Sequence, residues 1–304
     1  MNARYWMAVL AAGVSLAWAN RHVRSRAVRR WRPPTLNGRR HRGLYARHGG
    51  HGDQVVVLLH GLVATGNIFG ADFDDLARDH VVVVPDLLGF GRSLDEDRAQ
   101  ITAEDHLDAL DRLLDDLGVA DQPLVIGAHS MGSALALRWA ARHGARVRGV
   151  VCWGAPVYAD RNSLDQALAE SGLMARLFAG TTRWAKLACT LNCSHRRIAG
   201  WIAAAASPSL PITIARSASL HTWPAYRDAV GDVIAGTDWD DLCGRTTANG
   251  TAVHLLWGEH DPIGDRELAG RLPRATLTTI AVADHRLPLT HPSACVGHVL
   301  DSAQ

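Results

Sequence analysis

Six short apolar runs, rich in β-branched residues and separated by helix-like stretches, constrain the fold of this chain more than any other feature. They cover residues 55–60, 81–85, 124–129, 148–153, 252–257 and 275–282. Several are nearly continuous in hydrophobic residues, the pattern of strands buried on both faces. Between them, residues 103–117 and 131–143 have helical periodicity. Leu107, Leu110, Leu114 and Leu117 form an apolar stripe on the first, and Thr102 stands at its N-cap position. Strand and helix in alternation predict an α/β fold, a mostly parallel central sheet flanked by helices.

The alternation stops between residues 155 and 240. That stretch reads as helical, offers no convincing strand, and contains Trp184, Trp201, Trp223 and Trp239. We expect an inserted helical cap over the sheet's active edge, its tryptophans either lining an apolar pocket or packing as core. The organisation is then an N-terminal segment 1–34, a core from 35–154 and 241–304, and a cap from 155–240.

Hydrophobic residues make up 47% of the 304 and charged residues 20%, enough to bury a large core. A net charge of +2 gives no global reason to expect nucleic acid as a partner. The five cysteines, Cys152, Cys189, Cys193, Cys243 and Cys295, have no disulfide-framework spacing. Cys189, Cys193 and His195 lack a second metal-binding pair nearby, so no metal is expected. A Cys189–Cys193 disulfide stays open.

Residues 6–19 are apolar apart from Ser15, a helix of ~21 Å where a hydrocarbon core spans ~30 Å. Ala17-Trp18-Ala19 suits a signal cleavage site, but only Arg4 precedes the apolar run. Arg21, Arg24, Arg26, Arg29, Arg30 and Arg32 come after it, an order that opposes export and favours a cytoplasmic location for the remainder of the chain. Val23, Ala27, Val28 and Trp31 recur at helical spacing among these arginines, before Pro33-Pro34. This reads as a basic amphipathic helix able to make peripheral contact with anionic lipid. A helix packed on the protein, a loose tail and a cleaved signal with export are the alternatives.

The strongest chemical signal is Ala128-His129-Ser130-Met131-Gly132, at the end of one strand and the start of the next helix. A serine on a tight strand-to-helix turn presents its hydroxyl at the sheet edge, and small residues two positions either side let the backbone turn. Gly127 adds freedom just before it. The competing reading is an ordinary N-cap serine.

With that motif in place, the chain resembles the α/β-hydrolase fold family from about Gly43 to its C-terminus. Ala128 stands where the family usually has glycine. His60-Gly61-Leu62 matches the family's oxyanion-hole loop, so the resemblance assigns the backbone N–H groups of Leu62 and Met131 to a developing oxyanion. Losing one such donor costs roughly 10²–10³ in rate. The stretch from Asp86 to Ser93 resembles D-x-x-G-x-G-x-S, and its glycines are given a structural role. Trp257-Gly258-Glu259-His260-Asp261 resembles W-G-x-x-D and makes Asp261 the acid, with Glu259, Asp265 and Asp284 as rivals. His285, after the last strand and before Pro292, becomes the base, with His291 as its rival. The family often has glycine at the position of Asp284 and an acid at that of Thr290.

The resemblance implies a serine hydrolase, esterase- or lipase-like, cleaving a small-molecule carboxylic ester; the tryptophans of the cap suggest an apolar acyl group, and without a phosphate-binding glycine loop or dinucleotide fingerprint no cofactor is expected. Serine at position 130 argues against dehalogenase and epoxide-hydrolase chemistry, which needs aspartate there. Lactone, thioester and carbon–carbon hydrolysis and perhydrolysis use the same three residues. A slow-turnover ligand-binding receptor and a membrane-tethered interaction protein on an inactive hydrolase fold are the non-enzymatic alternatives.

Overall fold

The computed structural model of the chain describes residues 3–170 and 182–303. Eight strands form one sheet: β1 (Gly38–His41), β2 (Leu44–Gly49), β3 (Val55–Leu59), β4 (Val81–Pro85), β5 (Leu124–His129), β6 (Val147–Trp153), β7 (Ala252–Gly258) and β8 (Ala275–Ile280). Their order across the sheet is β1-β2-β4-β3-β5-β6-β7-β8. All pairs from β4 to β8 are parallel, and β2 joins β4 antiparallel. The six expected strands are all present, with ends moved by one or two residues. Val282 has φ 57°, outside the β region, and the strand ends at Ile280 before it.

The hairpin β1–β2 was not expected, because its sequence carries Arg39, Arg40 and Arg47 rather than an apolar run. Its inward face is nevertheless buried through Leu44 and Ala46. Buried Arg47 ion-pairs with Asp74 at 2.6 Å and donates to the carbonyls of Gly66 and Phe69. A buried charge so fully partnered avoids the penalty that periodicity alone would predict for it.

Helices cover both faces. The helix Ala103–Leu117 begins with a capping box between Thr102 and Asp105 and stops at Gly118, whose φ of 71° suits a left-handed cap. Leu107, Leu110, Leu113 and Leu114 are buried beneath it, each contributing roughly 1.5–3 kcal/mol of transfer free energy. The helix Met131–His143 is buried along most of its length, with Trp139 fully enclosed.

No strand of the sheet falls among the described residues between 155 and 240. The region divides in two. Helices Arg161–Glu170, Arg183–Ser194 and Arg196–Ala206 are largely exposed. The turns Trp223–Asp228 and Ala229–Ile234 dock on the core, where Asp228 and Asp232 accept the backbone N–H groups of Ile101 and Ala103. Two of the four tryptophans depart from expectation. Trp239 is core and Trp223 stacks on Tyr226, but Trp184 and Trp201 are exposed.

The N-terminal residues form helices Ala3–Arg24 and Arg26–Arg30, separated by the cap residue Ser25. Among the described residues, no helix is long and apolar enough to cross a membrane. Ala27 is buried, and the Trp31 indole donates to the Asn67 carbonyl, so part of the apolar face of the basic helix lies against the protein. The five cysteines are free thiols, and Cys189 and Cys193 stand with their sulfurs 3.8 Å apart, outside bonding distance.

Candidate active site

Ser130 occupies the turn between β5 and the following helix, with φ 53° and ψ −124°. A non-glycine residue there stores of order 1–3 kcal/mol of strain, which its surroundings must offset. Its N–H donates to the carbonyl of Trp153 at the end of β6, and its carbonyl accepts from Ser133. Neighbouring backbone sits so close that a Cβ on Gly132 would lie 2.6 Å from the Leu59 carbonyl oxygen. Gly127 provides room rather than freedom, since a Cβ there would lie 2.5 Å from the Trp153 ring. Ala128 is fully buried without difficulty, which accommodates the departure from glycine. The Ser130 side chain makes no capping bond, so this serine is not an ordinary N-cap.

The loop after β3 lies alongside. A Cβ on Gly61 would come within 2.9 Å of the Ser130 Cβ. His60 is fully buried and bridges two loops: its Nδ1–H donates to the Gly61 carbonyl and its Nε2 accepts from the Leu87 N–H. Burial lowers its pKa, in keeping with a neutral ring. Asp86 continues the bracing, accepting the N–H groups of Gly66 and Arg92. Among the described residues, no protein acceptor takes the N–H of Leu62 or of Met131. The latter is the first amide of a helix, where the dipole favours negative charge.

On the other side, the loop after β7 holds Asp261 with its carboxylate sealed from solvent. Both oxygens lie near Nδ1 of His285, at 3.0 and 2.9 Å, and Oδ1 also accepts the Ile263 N–H. The rivals are occupied elsewhere. Glu259 accepts from the Val282 N–H, Asp265 caps the helix Arg266–Ala269, and Asp284 pairs with Arg286. His291 bonds Thr290 and leads into the final helix.

Three neighbours carry no assignment from sequence. Gly154, just beyond β6, has φ 58°, and a Cβ there would lie 2.7 Å from Asp261 Oδ2 and 2.8 Å from His285 Nδ1. His129 donates from Nε2 to the His285 carbonyl at 2.8 Å, and burial pushes its pKa down to about 3, with the His285 ring 4.8 Å away. Tyr158 accepts the Gly264 N–H beside the Asp261 loop. Only the placement of His129 next to Ser130 hinted at a role.

Ser130 and His285 line the same cavity, of about 510 Å³, at the carboxyl ends of the parallel strands. Leu62, Leu164, Ala188, Val230, Ile234 and Ile263 make its wall largely apolar. Two of its polar groups are turned to backbone partners: Asn192 donates to Ser219 and His221 to Ala218. None of the four cap tryptophans lines it. The arrangement offers an imidazole with one nitrogen fixed by a buried carboxylate, a serine hydroxyl, two amide donors and an apolar chamber.

Residues 54–186 match the family model described as alpha/beta hydrolase fold. The chain is 26% identical over 247 residues to the probable lysophospholipase BODYGUARD 4 of Arabidopsis thaliana, across 76% of this chain and 59% of that one. It is 32% identical over 114 residues to a cis-3-alkyl-4-alkyloxetan-2-one decarboxylase of Xanthomonas campestris pv. campestris, across 35% of this chain and 38% of that one. It therefore spans less than two thirds of the length of these relatives. The structure of E-2-(acetamidomethylene)succinate hydrolase superposes with a TM-score of 0.65 at 20% identity, covering 88% of this chain and 99% of that one, a likeness of fold. By its sheet order, its strand-to-helix serine turn and the matched segment, the chain has the α/β-hydrolase fold.

Proposed function

We propose that the chain is a serine hydrolase of carboxylic esters, working through an acyl-enzyme on Ser130. The observation that carries this reading is that the strained Ser130 turn and His285, held from behind by buried Asp261, line one apolar cavity. With Nδ1–H committed to Asp261, His285 keeps Nε2 free to accept the Ser130 proton as Oγ attacks the ester carbonyl. The oxyanion would be met by the N–H groups of Leu62 and Met131. His285 then returns the proton to the departing alcohol, leaving the acyl group on Ser130. Water, losing a proton to His285, attacks the acyl carbonyl; the bond to Ser130 Oγ breaks, Oγ takes that proton from His285, and the acid leaves. Among the described residues no hydrogen bond joins Ser130 Oγ to His285 Nε2; in sites of this kind that bond tightens as substrate binds.

The apolar wall favours an acyl group of hydrocarbon character. Among the basic residues near the N-terminus, Arg21, Arg24, Arg29 and Arg30 are exposed, which supports peripheral contact with anionic lipid on the cytoplasmic side. Hydrolysis of p-nitrophenyl esters of graded acyl length tests the enzymatic reading. We expect kcat/KM to rise from acetate to a medium chain in wild type, and turnover to vanish in Ser130→Ala. Equal rates in the two proteins would refute it.

A further inference from the structure

A helix on a protein surface ordinarily turns apolar residues inward and polar ones to water. The cap helices Arg183–Ser194 and Arg196–Ala206 are apolar on both sides. Inward, Ala185, Ala188 and Cys189 wall the cavity, and Gly200 and Ala204 are buried. Outward, Trp184, Leu187 and Leu191 on the first helix and Ile198, Trp201 and Ile202 on the second are all exposed, Trp201 at 56% and Ile202 at 64%. Scattered exposed apolar side chains are ordinary, but six large ones on two successive helices mark a contact surface.

Its charge says what it meets. From Thr182 to Arg227 the sequence contains no aspartate or glutamate, while Arg183, Lys186, Arg196, Arg197, Arg216 and Arg227 lie within it. Arg196 pairs with Glu96 from outside this stretch, and Arg216 stacks 4.3 Å over the Trp201 ring. The N-terminal helix adjoins the second cap helix: the Trp18 indole donates to Ala205, His22 to Pro208 and Ser25 to Ser209. It adds exposed Val14, Leu16 and Val23, and Arg21 and Arg24, to the same region.

We propose that the outer face of these two cap helices, together with the adjoining N-terminal helix, docks on an anionic lipid surface. Apolar and tryptophan side chains would enter the interfacial layer while the arginines meet the headgroups. Charge disfavours a second copy as the occupant, since two such faces would bring together Arg183, Lys186, Arg197 and Arg216 of each copy, which are exposed and have no ion-pair partner among the described residues. Docking puts the wall helix Arg183–Ser194 at the lipid with the cavity behind it, so an acyl substrate can pass from one to the other. That last consequence rests on the ester-hydrolase reading; the docking itself does not.

The test is flotation of the full chain with vesicles of phosphatidylcholine, alone or with one third phosphatidylglycerol. Wild type should float with the anionic vesicles and be released by salt, whereas Trp201→Asp/Ile202→Asp should lose about tenfold or more in partitioning. The double variant should keep the wild-type melting temperature and p-nitrophenyl acetate turnover. Ile198→Glu gives a second, single-site check with the same expected loss. Wild type that stays unbound, or variants that float like wild type, would overturn the proposal. So would a dimer that the substitutions dissociate without any vesicle binding. A protein that floats yet hydrolyses no ester would support the docking and remove the enzymatic reading.

Discussion

The Nε2–H of His129 donates to the backbone carbonyl of His285 at 2.8 Å, joining the residue before Ser130 to a loop 156 positions along the chain. Through this bond the serine turn and the imidazole loop are set against each other directly, rather than through the sheet alone. His129→Phe removes the donor while keeping a ring in the buried space. We expect kcat to fall by about tenfold with KM nearly unchanged, because only alignment of the reacting groups is lost. Steady-state kinetics beside a melting curve separate this from unfolding, which would lower both together.

Gly154 gives a sharper test of geometry. Alanine there must take a φ of 58° and push a methyl to within 2.7 Å of Asp261 Oδ2. The backbone penalty is about 1 kcal/mol, tolerable for a folded domain. Displacement of the Asp261–His285 pair should cost far more in rate, about a hundredfold in kcat/KM. A variant with wild-type kinetics would mean that the pair need not sit where it does.

His106 supplies a pH dependence. Both ring nitrogens are buried without a partner, and burial lowers the pKa to about 4 from the ordinary 6.5. Between those values the unfolded chain binds a proton that the folded chain refuses, so stability falls as pH drops from 6.5 to about 4 and then levels off with respect to this group. A difference of that size corresponds to about 3 kcal/mol. His129 acts in the same direction, its window reaching down to about 3. His106→Leu should flatten the dependence of melting temperature on pH across this range and raise it at pH 5. An unchanged slope would mean that His106 is charged in the folded protein.

Much of this was legible in the sequence because the deciding forces are local. Runs such as Val55–Leu59 and Val81–Pro85 declare buried parallel strands by composition. The strand-to-helix turn at Ser130 declares itself by the small residues around it. The hairpin β1–β2 was hidden because Arg47 becomes acceptable inside only once Asp74, Gly66 and Phe69 surround it. Gly154 was hidden because the need for glycine comes from two loops more than a hundred residues onward. The choice of Asp261 over Glu259, Asp265 and Asp284 rested on resemblance, and only the fold gives each rival a separate partner. Trp184 and Trp201 were read as pocket or core because hydrophobicity specifies burial without naming what does the burying.

The central claim is that Ser130 is an activated nucleophile, and labelling with a fluorescent fluorophosphonate tests it without any guess about substrate. Wild type should label rapidly, and Ser130→Ala not at all. Slower labelling in Asp261→Asn, by about 10³-fold or more, would tie the activation to His285 and its carboxylate. Folded wild-type protein that resists the probe, or Ser130→Ala that labels like wild type, would contradict the account.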